Sequence, residues 1–149
     1  MTPLFSEPLE ALEVGARFTT RGRTITEADV VAFSGLTGDW HPQHADAEWA
    51  RDSAFGERIA HGLLCLAIQS GLFNRAATEY ATLGLAGLRW KFKAPVKIGD
   101  TIRLKAKVSA KKDLDKADRG LVTIERTIVN QRDEVVQQGE TDLIVEKKR

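Results

Sequence analysis

The stretch from His61 to about Ala77 restricts this chain more than any other. Leu63, Leu64, Cys65, Leu66, Ala67, Ile68, Leu72 and Phe73 make it apolar nearly all round, until Gln69 and Ser70 intervene. A helix with so little polar face is buried on several sides. At 1.5 Å per residue it is about 25 Å long. That is too short for a bilayer, which takes roughly 20 apolar residues, but right for a helix wrapped by a sheet.

The rest of the chain supplies strands. Leu88, Trp90 and Phe92 alternate with Arg89, Lys91 and Lys93, and Ile102, Leu104, Ala106 and Val108 alternate with Arg103, Lys105 and Lys107. A period of two places one set on each face of a strand. Ala94–Asp100 reads as a turn or crossover, Lys111–Gly120 as a charged hairpin loop. Leu121–Asn130 and Val135–Val145 read as two further strands joined around Gln131-Arg132-Asp133-Glu134. Short connections between successive strands imply an antiparallel meander. A buried helix on such a sheet is an α+β layer architecture.

The N-terminal third is less regular. Residues 1–13, with Pro3 and Pro8, read as an arm that packs on the domain, and residues 16–25 as a short strand or hairpin. Thr26, followed by Glu27 and Asp29, suits a helix N-terminus. Val30, Val31, Phe33 and Leu36 give that helix an apolar side, and Gly35 and Gly38 end it. Pro42 prevents simple continuation. Asp46 is placed to cap a second short helix, and Phe55–Arg58 is a loop. No repeat and no low-complexity tract appears.

The chain has 149 residues, the size of one domain, with 42% hydrophobic and 29% charged residues. A net charge of +1 gives no electrostatic case for nucleic acid or membrane. Cys65 is the single cysteine, so no intrachain disulfide forms. The opening residues carry no long apolar run, so no secretory signal is expected and a cytoplasmic location is.

Chemistry concentrates in Thr37-Gly38-Asp39-Trp40-His41-Pro42-Gln43-His44 and Ala60-His61-Gly62, which hold all three histidines. Asp39 and His44 can share one water and divide base and acid work on it. Water addition to a conjugated double bond puts charge on the adjacent carbonyl oxygen. Backbone N–H groups at a helix N-terminus stabilise such charge, and Gly62 sits there, without a Cβ to obstruct approach. The plainer reading is that Asp39 caps the turn and His44 bonds locally. A metal site of His41 and His44 with Asp46 or His61 is weaker, because the cysteines or Glu that accompany HxxH zinc sites are missing. Cys65 lies four residues after His61, but a thiol among leucines is more simply buried and inert. Trp90 reads as core; Trp40 suits either an apolar substrate slot or a helix–sheet contact.

The stretch Phe33–His44, followed by Ile59-Ala60-His61-Gly62-Leu63-Leu64, resembles the MaoC-like dehydratases, which include the (R)-specific enoyl-CoA hydratases. Their pattern is an aromatic, a short spacer, an aliphatic, a small residue, then Gly-Asp-x-Asn-Pro-x-His. Phe92–Asp100 also looks like that family's strand-and-turn segment, so the resemblance covers residues 15 to 145 or so. It implies a single hot-dog domain over residues 1–149, an antiparallel sheet around a central helix at about 61–77. An inserted segment at about 26–60 would overhang the sheet and carry the catalytic Asp39 and His44. Gly62 would be the oxyanion amide, with Trp40, His41 and His61 toward the substrate. The resemblance implies no metal or other cofactor, CoA as part of the substrate, and a homodimer joined sheet edge to sheet edge, or a larger assembly of dimers. The implied reaction is reversible hydration of a trans-2-enoyl thioester to an (R)-3-hydroxyacyl thioester. A hot-dog thioesterase and a non-catalytic acyl-thioester binding subunit are the rival expectations. The chain departs from the pattern at His41, where the family has Asn. One hot-dog unit, where longer-chain relatives often have two, suggests a modest acyl group. The Lys111–Arg119 loop is either a contact for CoA phosphates or a solvated tip.

Overall fold

The structure, a computed structural model, describes residues 7–76 and 80–148. Its frame is a six-stranded antiparallel sheet in the order β1-β4-β5-β6-β3, with β2 also paired to β4. The strands are β1 (Arg17–Thr19), β2 (Arg23–Thr24), β3 (Thr82–Phe92), β4 (Thr101–Asp113), β5 (Arg119–Val129) and β6 (Val135–Glu146). The helices are α1 (Glu27–Thr37), α2 (Pro42–Ala45), α3 (Ala47–Arg51) and α4 (Gly62–Ala76).

The period-two pattern of β4 does what it predicts: Ile102, Leu104, Ala106 and Val108 are all buried. With Val122, Ile124 and Ile128 of β5 and Leu143 and Val145 of β6, they form one core with Leu64, Cys65, Leu72 and Phe73 of α4. The sheet curls around the helix, and the fold is a hot-dog. Among the described residues no helix is long and apolar enough to cross a membrane.

Several expectations need correction. The helix α4 is not buried all round: Leu63 is 60% exposed, while Gln69 is 3% exposed. The hairpin loop is shorter than Lys111–Gly120, because β4 runs to Asp113 and β5 starts at Arg119. The segment at 16–25 gives two short strands that pair with β4 rather than with each other. Pro42 begins a short helix instead of only interrupting one, since its missing N–H falls where none is needed. Of the arm, residues 1–6 lie outside the described residues; Leu9 and Leu12 are buried in the core. The expected helix end at Ala77 also lies outside them.

The overhanging helix α1 is fixed at its start. Thr26 and Asp29 form a capping box, with Thr26 Oγ1 accepting from Asp29 N–H at 3.1 Å and Asp29 Oδ2 accepting from Thr26 N–H at 2.8 Å. Asp29 also takes two hydrogen bonds from the Arg23 guanidinium, at 2.6 and 2.8 Å. That pairing holds its carboxyl far below the usual carboxylate range. Val30 and Ser34, one turn apart, face inward, whereas Val31 and Leu36 face out at 47% and 83% exposure. Of the apolar side expected from sequence, Val30 and Phe33 pack on the core, whereas Val31 and Leu36 do not.

Candidate active site

The turn after α1 brings a carboxylate to two imidazoles. Gly38 takes a left-handed conformation, φ +79°, which turns the chain sharply at the end of α1. Asp39 follows and is exposed. His44, on α2, and His61, just before α4, are buried at 4% and 2% exposure. One donor atom from each of Asp39, His44 and His61 lies within 4.8 Å of the others.

The tautomer of His44 follows from its partners. Its Nδ1 lies 2.7 Å from the Ile59 carbonyl oxygen, which can only accept. Nδ1 therefore carries the proton, and Nε2 presents a lone pair, 3.2 Å from the Gln43 amide nitrogen. Burial, the largest influence, holds this imidazole below its ordinary pKa of 6.5, and His61 acts in the same direction. His44 is thus a neutral base whose one lone pair, at Nε2, accepts from the Gln43 amide.

His61 braces that base. Its ring stacks on His44 with centroids 3.8 Å apart and planes 28° apart. Its Nε2 lies 3.0 Å from the Asp39 carbonyl oxygen, an acceptor, so Nε2 carries the proton; Ser34 Oγ is also 3.0 Å away. The His61 Nδ1 is buried and has no partner among the described residues.

His41 caps α2, its Nδ1 accepting from Gln43 N–H at 3.2 Å. It stands edge-on to Trp49, with centroids 5.6 Å apart. A His in that position supplies the turn with the acceptor that an Asn would bring. Trp40 is 53% exposed. The structure thus brings Asp39, His44 and His61 together, sets His41 on the turn beside them, and leaves Trp40 at the surface.

Gly62 is the first residue of α4, where backbone N–H groups lack helical acceptors. A Cβ there would stand 2.8 Å from Phe92 Cδ1. Glycine is needed first for the close approach of that ring. Gly62 lines a cavity of about 360 Å³ with Phe55, Ile59, Phe92 and Gln137. Asp39 and His44 are not among its walls. The Gln137 side chain joins helix to sheet: Nε2 donates to the Gly62 carbonyl at 3.0 Å, and Oε1 accepts from Trp90 Nε1 at 2.9 Å. Cys65 is fully buried, and burial pushes its thiol up to about 12. It is no nucleophile at neutral pH.

Reading the sequence missed Ser34, Gln43, Gln137 and the Ile59 carbonyl. The one available signal was Ser34 at helical spacing from Val30, on the inward stripe.

A family model described as MaoC like domain matches residues 11–130. Protein MaoC of Klebsiella aerogenes is 40% identical over 103 residues, covering 68% of this chain and 30% of that protein. The chain thus spans less than a third of that relative's length. The (R)-specific enoyl-CoA hydratase of Aeromonas caviae is 30% identical over 131 residues, 88% of this chain and 93% of that enzyme. A solved structure described as a monoamine oxidase regulatory protein from Archaeoglobus superposes with a TM-score of 0.91 at 33% identity, covering 97% of each chain.

Proposed function

The chain belongs to the MaoC-like domain family, and from that membership we propose that it is a lyase that reversibly hydrates a trans-2-enoyl thioester to an (R)-3-hydroxyacyl thioester. The observation that carries this reading is the meeting of Asp39, His44 and His61 within 4.8 Å, ahead of the helix start at Gly62.

The chemistry divides between water and carbonyl. One water held by the Asp39 carboxylate and His44 Nε2 loses a proton as its oxygen bonds to the β-carbon. The α-carbon gains a proton from the same pair. Because the two groups share that water, their protonation is coupled, and the acid and base roles belong to the pair. Negative charge gathers on the thioester oxygen in the transition state, and the Gly62 N–H donates to it there. His61 holds no reacting atom; it fixes the His44 ring plane and, through the Asp39 carbonyl, the turn. CoA enters as part of the substrate, and the chemistry calls for no metal or other cofactor.

The assembly proposed is a homodimer joined along β3. That strand ends the sheet, and Leu83, Leu85, Leu88 and Phe92 on it are 44–63% exposed. An edge this long and apolar invites pairing with another strand.

Absorbance of crotonyl-CoA mixed with the purified protein tests the reaction, with a thiol reagent in parallel. Loss of the conjugated enoyl absorbance without thiol release is expected. Thiol release would make the protein a thioesterase instead. Tight acyl-CoA binding with neither change, across a panel of enoyl thioesters, would make it a binding subunit.

A further inference from the structure

A second cavity, of about 390 Å³, lies between α4 and the strands β3 and β6. Its walls include Phe73, Leu85 and Leu143, yet they also include Gln69, Arg126 and Thr141. Arg126 projects from the middle of β5 into the core and is 3% exposed. Its Nη1 donates to Gln69 Oε1 at 3.0 Å, and its guanidinium carbon stands 3.8 Å over the Phe73 ring. Among the described residues its Nε has no acceptor, and the equally buried Thr141 hydroxyl has no partner.

Buried charges in folded proteins are ordinarily paired, because removing an ion from water is costly. Among the described residues no carboxylate makes an ion pair with Arg126; an amide and an aromatic face are its partners. Burial lowers its pKa to about 10, so it remains a cation at neutral pH. A cation with an unused donor and, on the neighbouring strand, an unused hydroxyl, both on the wall of one cavity, are suited to receive an anion with two oxygens.

We propose that this cavity is a carboxylate subsite in which Arg126, Thr141 and Gln69 receive the far end of the acyl group, so that the substrate class is enoyl thioesters ending in a carboxylate. This rests on the hydration reading for its chemistry, though not for the binding. The spacing is suitable. Gln69 follows Gly62 by seven residues of α4, roughly 10 Å at the rise of a helix. The inward face of β6 runs the same way, from Gln137 beside Gly62, past Gly139, to Thr141. At Gly139 the strands β3 and β6 pack closely: a Cβ there would run into the Arg89 carbonyl oxygen and meet the Trp90 ring at 2.7 Å. A medium-length acyl chain whose carbonyl sits at the Gly62 N–H is long enough to span the distance to Gln69 and its partner Arg126.

The probes are the CoA thioesters of trans-2-octenedioic and trans-2-octenoic acid, equal in carbon number and differing at the far end. The wild-type protein should hydrate the diacid thioester with a kcat/KM roughly tenfold or more above the neutral one, as expected for a buried charged hydrogen bond. Arg126→Met keeps the volume and should reverse that order. It is expected to fold, since apolar replacement of a buried charge is often neutral or stabilising. Thr141→Val should lower kcat/KM on the diacid alone. A wild-type preference for the neutral thioester, or an unchanged ratio in Arg126→Met, overturns the proposal. If neither thioester is hydrated, the lyase reading fails by itself, and calorimetry with suberyl-CoA and octanoyl-CoA decides the subsite. Tighter suberyl-CoA binding that is lost in Arg126→Met upholds it; equal binding means the cavity holds only water.

Discussion

His44 shows how much of the site depends on groups that do no chemistry. The Ile59 carbonyl fixes its tautomer, His61 fixes its plane, and burial keeps it neutral. A pH dependence follows. The folded pKa is below the ordinary 6.5, so the unfolded chain binds more protons as pH falls below that value. The stability this group contributes is full above 6.5 and is lost as pH falls through the folded value. Chemical denaturation at stepped pH should show this loss in the wild type and a smaller one in His44→Asn. Activity should persist below pH 6.5, with its acid limb displaced downward. Ser34→Ala leaves His61 with one partner fewer, and kcat should fall by about tenfold, toward the ~100-fold that a misplacement of about 1 Å costs, while KM changes little. Asp39, His44 and Gly62 stand out in the sequence because their residue types and spacing suggest chemistry. Ser34 and Gln137 could not, because a serine or glutamine acquires its role only when the fold delivers its partner from 27 or 75 residues away.

Among the elements, α1 and α4 position the site from opposite directions. The capping box at Thr26 and Asp29 sets the start of α1, and Gly38 sets its end. Thr26→Ala should cost about 1 kcal/mol, read as a lower thermal midpoint with the rate constants nearly unchanged. At the start of α4, Gly62→Ala sets a methyl against the Phe92 ring. The added Phe92→Ala change should restore the thermal midpoint. Activity should stay low, because the methyl still obstructs the thioester. A period of two made β4 legible in advance, since its alternate residues Ile102, Leu104, Ala106 and Val108 are all buried; α4 was legible from its apolar run, although Leu63 turned out exposed and Gln69 buried. The first half of β3 was not legible. Gly84 and Gly87 break its pattern, its register with β6 shifts twice, and its leucines are exposed on the single chain, so no alternation records a buried face. The apolar side of α1 misled in part: Val30 and Phe33 pack on the core, whereas Val31 and Leu36 do not.

For the whole molecule, the sheet around α4 explains both the stability of the frame and the openness of the site. The three strands β4, β5 and β6 pair over long registers, each interrupted by a single shift, while the turn that carries Asp39 and His44 is tied in through α1, the Arg58–Glu27 ion pair at 2.7 Å and the Ala60–Val96 backbone bond at 2.7 Å. The exposed edge of β3 predicts association: Leu85→Lys should shift the species seen by light scattering from dimer to monomer. A monomeric wild-type protein would remove that part of the account. The central claim is that Asp39 and His44 act as one pair on one water. It is tested most directly by the hydration rate of Asp39→Asn on crotonyl-CoA, with circular dichroism and light scattering matched to the wild type. A near-complete loss of kcat is expected, in a protein whose fold and assembly are unchanged. A rate within a few-fold of the wild type would contradict it and would place the chemistry elsewhere in the chain.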